Sequence, residues 1–134
     1  MARLRPRGPS GPFSQTEYET LAEFRYQLAR FLRRRKDAAH AKGLQAQQYE
    51  LLLAVSGLSK HKRPTIREIA TQLCLEHHTV VELADRLEKR GFLVRRSSSM
   101  DERVVLLQLT RSGRAVLSRI VPSVFPSFAT KPAR

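Results

Sequence analysis

Tryptophan is missing from this sequence and cysteine occurs once, as Cys74. A single cysteine excludes an intramolecular disulfide and suits a reducing compartment. Aromatic residues make up only 7% of the chain, so any core must be mostly aliphatic. No stretch approaches the roughly 20 apolar residues of a membrane span. The basic N-terminus has no apolar stretch of the kind a secretory signal needs. A cytoplasmic protein with no membrane partner is the expectation. Chemistry-bearing sets are scarce as well. There is no Ser, His and Asp set, no carboxylate pair in an apolar pocket and no glycine-rich phosphate loop, so neither an enzyme nor a cofactor is expected.

Acidic residues are also in short supply, 12 Asp and Glu against 25 Lys and Arg, for a net charge of +13. Such a field attracts polyanions and speeds encounter with them. DNA, RNA and an anionic surface all qualify on charge alone, with nucleic acid favoured by the basic balance. The 134 residues allow one domain and a real core.

Along the chain the apolar spacing sets out a series of helices and one hairpin. Residues 1–14 hold Pro6, Gly8, Pro9, Gly11 and Pro12 among basic residues and read as a disordered basic arm. Over 15–42, Leu21, Phe24, Leu28, Phe31 and Leu32 fall on one helical stripe wide enough for a partner as well as a core. Arg33, Arg34, Arg35 and Lys36 crowd its end, as a solvated terminus or a second phosphate contact, and Gly43 stops it. A second helix is predicted from about Gln45 to Ser56, followed by the polar basic loop GLSKHKR.

Thr65 and Glu68 then form a capping-box pattern before the short helix of Ile66, Ile69, Ala70 and Leu73. A tight turn at Cys74 and Leu75 leads into a longer helix, with Val80, Leu83, Ala84 and Leu87 as its apolar face. That pair is a helix-turn-helix candidate. On the outer side of the second helix lie His78, Glu82, Asp85 and Lys89, flanked by Thr79, Val81 and Arg86. Gly91 ends it. A hairpin comes next, with strand residues 92–96, a charged flexible tip over 97–102 and a return from Arg103 to Leu109, in which Val105, Leu107 and Leu109 face the core. Thr110 caps a last helix from Arg111 to about Val121, and Pro122 and Pro126 interrupt the stretch beyond it. The fold class is therefore mainly α with a small β-hairpin wing. The order of helix, turn, helix and hairpin lets a small domain put one helix in the major groove and a hairpin tip in the adjoining minor groove.

The segment from Thr65 to Gly113 resembles the MarR family of bacterial regulators. Three motifs carry the resemblance in order and spacing: VVELADRLEKRG, the D-x-R of Asp101-Glu102-Arg103, and LQLTRSG. The resemblance implies a winged helix-turn-helix, with the DNA-binding domain over 43–110 and dimerisation helices over 15–42 and 111–134, the latter shortened. It implies a homodimer on a pseudo-palindromic operator in double-stranded DNA, with a small organic effector as a further candidate partner. On that basis the recognition helix contributes His77, His78, Thr79, Val81, Glu82, Arg86 and Lys89, and the wing contributes Arg95, Arg96 and Arg103. Asp101 shapes the wing, and Leu21, Phe24, Leu28, Phe31, Val121 and Phe125 serve dimerisation. Val81 and Glu82 stand where many members have Ser or Thr and then Arg, which implies an altered sequence preference. The resulting expectation is a sequence-specific regulator, read as a ligand-responsive repressor. The alternative is a winged-helix protein-interaction module that has lost specific DNA binding.

Two residue types invite other chemistry. Adjacent histidines on a helix point about 100° apart, which argues against His77 and His78 sharing a metal. Cys74 lies where the family often has Gly, and a small buried turn residue is the commoner reading than an exposed redox sensor.

Overall fold

The computed structural model describes residues 11–125; the expectations for residues 1–10 and for the tail from Pro126 fall outside them. The order of elements is α1 (Gln15–Ala41), α2 (Ala46–Ser56), α3 (Ile66–Leu73), α4 (His77–Lys89), β1 (Leu93–Ser97), β2 (Val105–Leu109) and α5 (Arg111–Val124). The chain divides into two compact units between Arg33 and Arg34, inside α1.

In the first unit, α1 begins with a reciprocal cap between Ser14, the last residue of the predicted arm, and Glu17 in the helix. The Glu17 N–H donates to Ser14 Oγ at 3.2 Å, and the Ser14 N–H donates to Glu17 Oε1 at 2.8 Å. The apolar stripe beyond it is largely uncovered: Leu21, Phe24 and Leu28 are exposed, while Phe31 is half-buried.

The second unit holds the core. Leu44, Tyr49, Leu51 and Leu52 from the start and middle of the α2 region meet Ile69, Val80, Ala84, Leu87, Leu93, Leu107 and Ile120, all buried. At the end of α1, the Arg35 guanidinium pairs with Glu50 at 2.7 Å, so this member of the basic cluster ties α1 to α2 instead of facing solvent. The Tyr49 phenol is buried and its pKa is raised, chiefly by burial and then by the Glu50 charge, with Arg35 opposing.

Four sequence expectations need correction. The capping box at Thr65 is only half made. Thr65 Oγ1 accepts from the Glu68 N–H at 3.1 Å, but the Thr65 N–H goes to Arg63 O at 2.8 Å in a tight turn. Cys74 is exposed, not buried. It takes the left-handed conformation, φ 55°, that ends α3, and its successor Leu75 donates back to Ala70 O at 3.1 Å. Helix α5 runs through Pro122 to Val124. Burial of Ile120 and Val124 on either side offsets the hydrogen bond that proline removes. Finally, Val105 is 40% exposed, because the hairpin projects past the core at that point, whereas Leu107 and Leu109 are buried.

Candidate nucleic-acid interface

Helix α4 ends on two signals. Gly91, at φ +81°, donates to Glu88 O, and Phe92 N–H donates to Leu87 O, which closes the helix and turns the chain into β1. The start of α5 is built onto the same corner. Thr110 N–H donates to Phe92 O at 3.1 Å, and Thr110 Oγ1 donates to Gly91 O at 2.6 Å while accepting from the Gly113 N–H at 3.0 Å. A Cβ on Gly113 would lie 2.0 Å from Phe92 O, so the first turn of α5 can rest there only with glycine. The separate motifs RLEKRG and LTRSG are thus two halves of one joint.

The joint fixes the position of the outer face of α4. Val80, Leu83, Ala84 and Leu87 are buried, while His77, His78, Glu82, Arg86 and Lys89 are exposed and Thr79 and Val81 are half-buried. All seven predicted recognition residues therefore lie off the buried face of one helix. Among the ion pairs of the described residues, α4 contributes Asp85 and Glu88, while Glu82 and Arg86, four residues apart on its outer side, form none with each other.

The wing pairs β1 with β2 antiparallel, from Leu93 opposite Leu109 to Ser97 opposite Val105. Its tip is held by an aspartate turn: Asp101 Oδ1 accepts from the Arg103 N–H at 3.0 Å and from Arg103 Nε at 3.2 Å. These two hydrogen bonds, the side-chain one first, hold the Asp101 carboxyl below its ordinary value, with a smaller contribution from the Arg63 charge. Arg103 sits in the loop, not in the returning strand, and its side chain is 92% exposed.

The three wing arginines differ in their surroundings. Arg103 reaches solvent beyond the tip. Arg96 is exposed and donates from Nε to Gln108 Oε1 across the hairpin at 2.7 Å. Arg95 instead folds back onto α4, donating from Nη2 to Asp85 Oδ1 at 2.7 Å and from Nη1 to Glu88 Oε1 at 2.8 Å. Sequence alone places Arg95 with the DNA contacts because the strand-to-helix pairing carries no local signal. Among the described residues, no group of three or more His, Cys, Asp and Glu side chains could hold a metal, and no helix is long and apolar enough to cross a membrane.

A helix-turn-helix of α3 and α4 followed by a two-stranded wing defines a winged helix-turn-helix protein. Residues 45–105 match the MarR family model. It is 33% identical over 73 residues to the organic hydroperoxide resistance transcriptional regulator of Bacillus subtilis, covering 54% of this chain and 50% of that protein. Against the transcriptional repressor MprA of Escherichia coli it is 30% identical over 95 residues, 70% of this chain and 53% of MprA. The chain thus spans about half the length of the curated relatives it matches. Among solved structures, CouR from Rhodococcus jostii bound to p-coumaroyl-CoA superposes with a TM-score of 0.69 at 23% identity, over 89% of this chain and 85% of CouR. A mutant of MepR from S. aureus, bound to an oligodeoxyribonucleotide, superposes with a TM-score of 0.66 at 21% identity, over 88% of this chain and 80% of MepR. The relatives are transcriptional regulators, not enzymes.

Proposed function

We propose that this protein is a sequence-specific double-stranded DNA-binding regulator, acting as a homodimeric repressor that responds to a small organic effector. The observation that carries the reading is the joint at Gly91, Thr110 and Gly113, which ties the end of α4 to the start of the wing and of α5, with the polar face of α4 and Arg103 at the wing tip exposed. A helix of that width fits the major groove, and an exposed arginine gains most from the negative potential of a narrow minor groove. The roles follow from chemistry. Glu82 accepts from a cytosine amino group, Val81 meets a thymine methyl, His78 reads guanine, and Lys89, Arg86 and Arg96 contact phosphate.

Homodimerisation is supported by the exposed stripe of Leu21, Phe24 and Leu28 on α1, extended by Phe31. Val121 and Phe125, both half-buried, add apolar surface on α5. They line an open apolar hollow of about 540 Å³ with Leu117 and Pro122, a seat of suitable size for a small organic effector. The ligand of CouR, p-coumaroyl-CoA, is an organic molecule.

In a gel-shift titration, Arg103→Ala is expected to weaken binding to all duplexes and to make the salt dependence shallower by about one phosphate contact per protomer. Binding indistinguishable from the parent protein would remove the wing from the interface. The protein-interaction reading rests on the acidic pair Glu82 and Asp85 on the outer face of α4 and on the expected shortening of the C-terminal segment. Arg95 pairs with Asp85, which weakens the first of these grounds.

A further inference from the structure

The turn between α2 and α3 carries Lys60, His61, Lys62 and Arg63 in succession, all exposed. A run of cations this dense repels itself, and the turn's own sequence holds no acid to offset it. Glu68, on α3, lies 3.9 Å from Lys62 Nζ but already accepts from Gln72 Nε2 at 3.0 Å. The backbone beneath the charges is nevertheless ordered. Lys62 N–H donates to Ser59 O at 3.0 Å, His61 N–H to Ser59 Oγ at 3.3 Å and Thr65 N–H to Arg63 O at 2.8 Å.

The turn is also attached to the wing. Leu107 N–H, in the middle of β2, donates to Pro64 O at 2.8 Å. The residue before that proline, Arg63, is near enough to Asp101 for its charge to act on the carboxylate that shapes the wing tip. Arg63 and Arg103 therefore act on the same aspartate from two different elements. A minor groove is only about 6 Å wide and is walled by phosphates, so an element beside a wing that enters it meets a phosphate wall.

We propose that the α2–α3 turn, through Lys60, Lys62 and Arg63, is a phosphate-contacting element that grips the DNA backbone beside the wing. This rests on the duplex-binding reading above and adds to it a third contact element. The turn supplies affinity without base readout, because lysine and arginine on phosphate carry no sequence information.

The test is the salt dependence of binding to a random-sequence duplex, followed by fluorescence anisotropy. Lys60→Gln/Lys62→Gln/Arg63→Gln should flatten the slope of log K against log salt by about 2 to 3 per protomer, at roughly 0.9 per phosphate. The charge-conserving Lys60→Arg/Lys62→Arg/Arg63→Lys should keep the parent slope. A control with as many charges removed from exposed positions in and just after α1, Arg25→Gln/Arg30→Gln/Lys42→Gln, should change it by less than about one per protomer. An unchanged slope in the turn variant, with Arg103→Ala still flattening it, overturns the turn proposal and spares the wing. An equal fall in the turn variant and the α1 control also overturns it, since the effect would then be one of net charge. If the parent protein shows no duplex binding at any salt, both readings fall together.

Discussion

Arg95 and Asp85 meet at 2.7 Å, so the first strand of the wing is tied to the middle of α4. Glu88, one turn further along the helix, takes the other edge of the same guanidinium at 2.8 Å. A planar fork matched to two carboxylates fixes an angle as well as a distance. With the Arg95 side chain 28% exposed and Asp85 50% exposed, solvent screens much of the attraction. A double-mutant cycle between Arg95→Met and Asp85→Asn should therefore give a coupling of about 0.5 to 1 kcal/mol. On DNA, Arg95→Ala should leave the salt slope unchanged, unlike Arg103→Ala, which would flatten it by about one per protomer. A flattened slope for Arg95→Ala would mean that this arginine lets go of α4 and contacts phosphate.

Gly113 carries the joint between the wing and α5. A methyl group there has no room against Phe92 O, and the neighbour is backbone, which cannot swing away. Gly113→Ala should cost about 3 kcal/mol or more in denaturant unfolding, at or above the upper end for overpacking. Thr110→Ala, which removes the cap but adds no clash, should cost about 1 kcal/mol. Equal costs for the two would mean that α5 moves to admit the methyl.

Cys74 occupies a left-handed position at the end of α3, φ 55°, which penalises any residue with a Cβ. Cys74→Gly should stabilise the protein by about 0.5 to 1 kcal/mol, since the exposed thiol makes no packing contribution to offset the strain. A loss of stability in chemical denaturation would show that the thiol packs more than its exposure implies.

Asp101 gives the wing a pH limit. Its folded-state pKa lies below the ordinary value of 3.8 because the ionised form accepts from Arg103. The ordering this provides is complete above the unfolded-state pKa and is lost as pH falls through the lower, folded-state one. In an NMR titration the Arg103 amide should keep its folded chemical shift through mildly acidic pH and change only below the ordinary aspartate range. Asp101→Asn should remove that transition. A midpoint above the ordinary value would contradict the hydrogen-bonded tip.

Much of this was legible in the sequence because it is written in local spacing. The apolar positions Val80, Leu83, Ala84 and Leu87 define the buried face of α4, and Gly43 and Gly91 mark helix ends by adopting φ +80° and +81°. What local spacing does not encode is which distant groups meet. Arg95 looks like a wing cation until Asp85 and Glu88 come into reach, ten and seven residues back. Thr65 has the pattern of a full capping box, yet Arg63 O takes its N–H first. Pro122 reads as a breaker, but the burial of Ile120 and Val124 carries the helix past it. In each case a tertiary contact or a competing turn outweighs a local preference of about the same size.

If α4 and the wing read a specific duplex, selection from a random duplex pool by the purified protein should recover a pseudo-palindrome. Its half-sites should be spaced about one helical turn apart, as two recognition helices related by a twofold axis require. Failure to enrich any half-site, even at low salt where phosphate contacts are strongest, would contradict that reading.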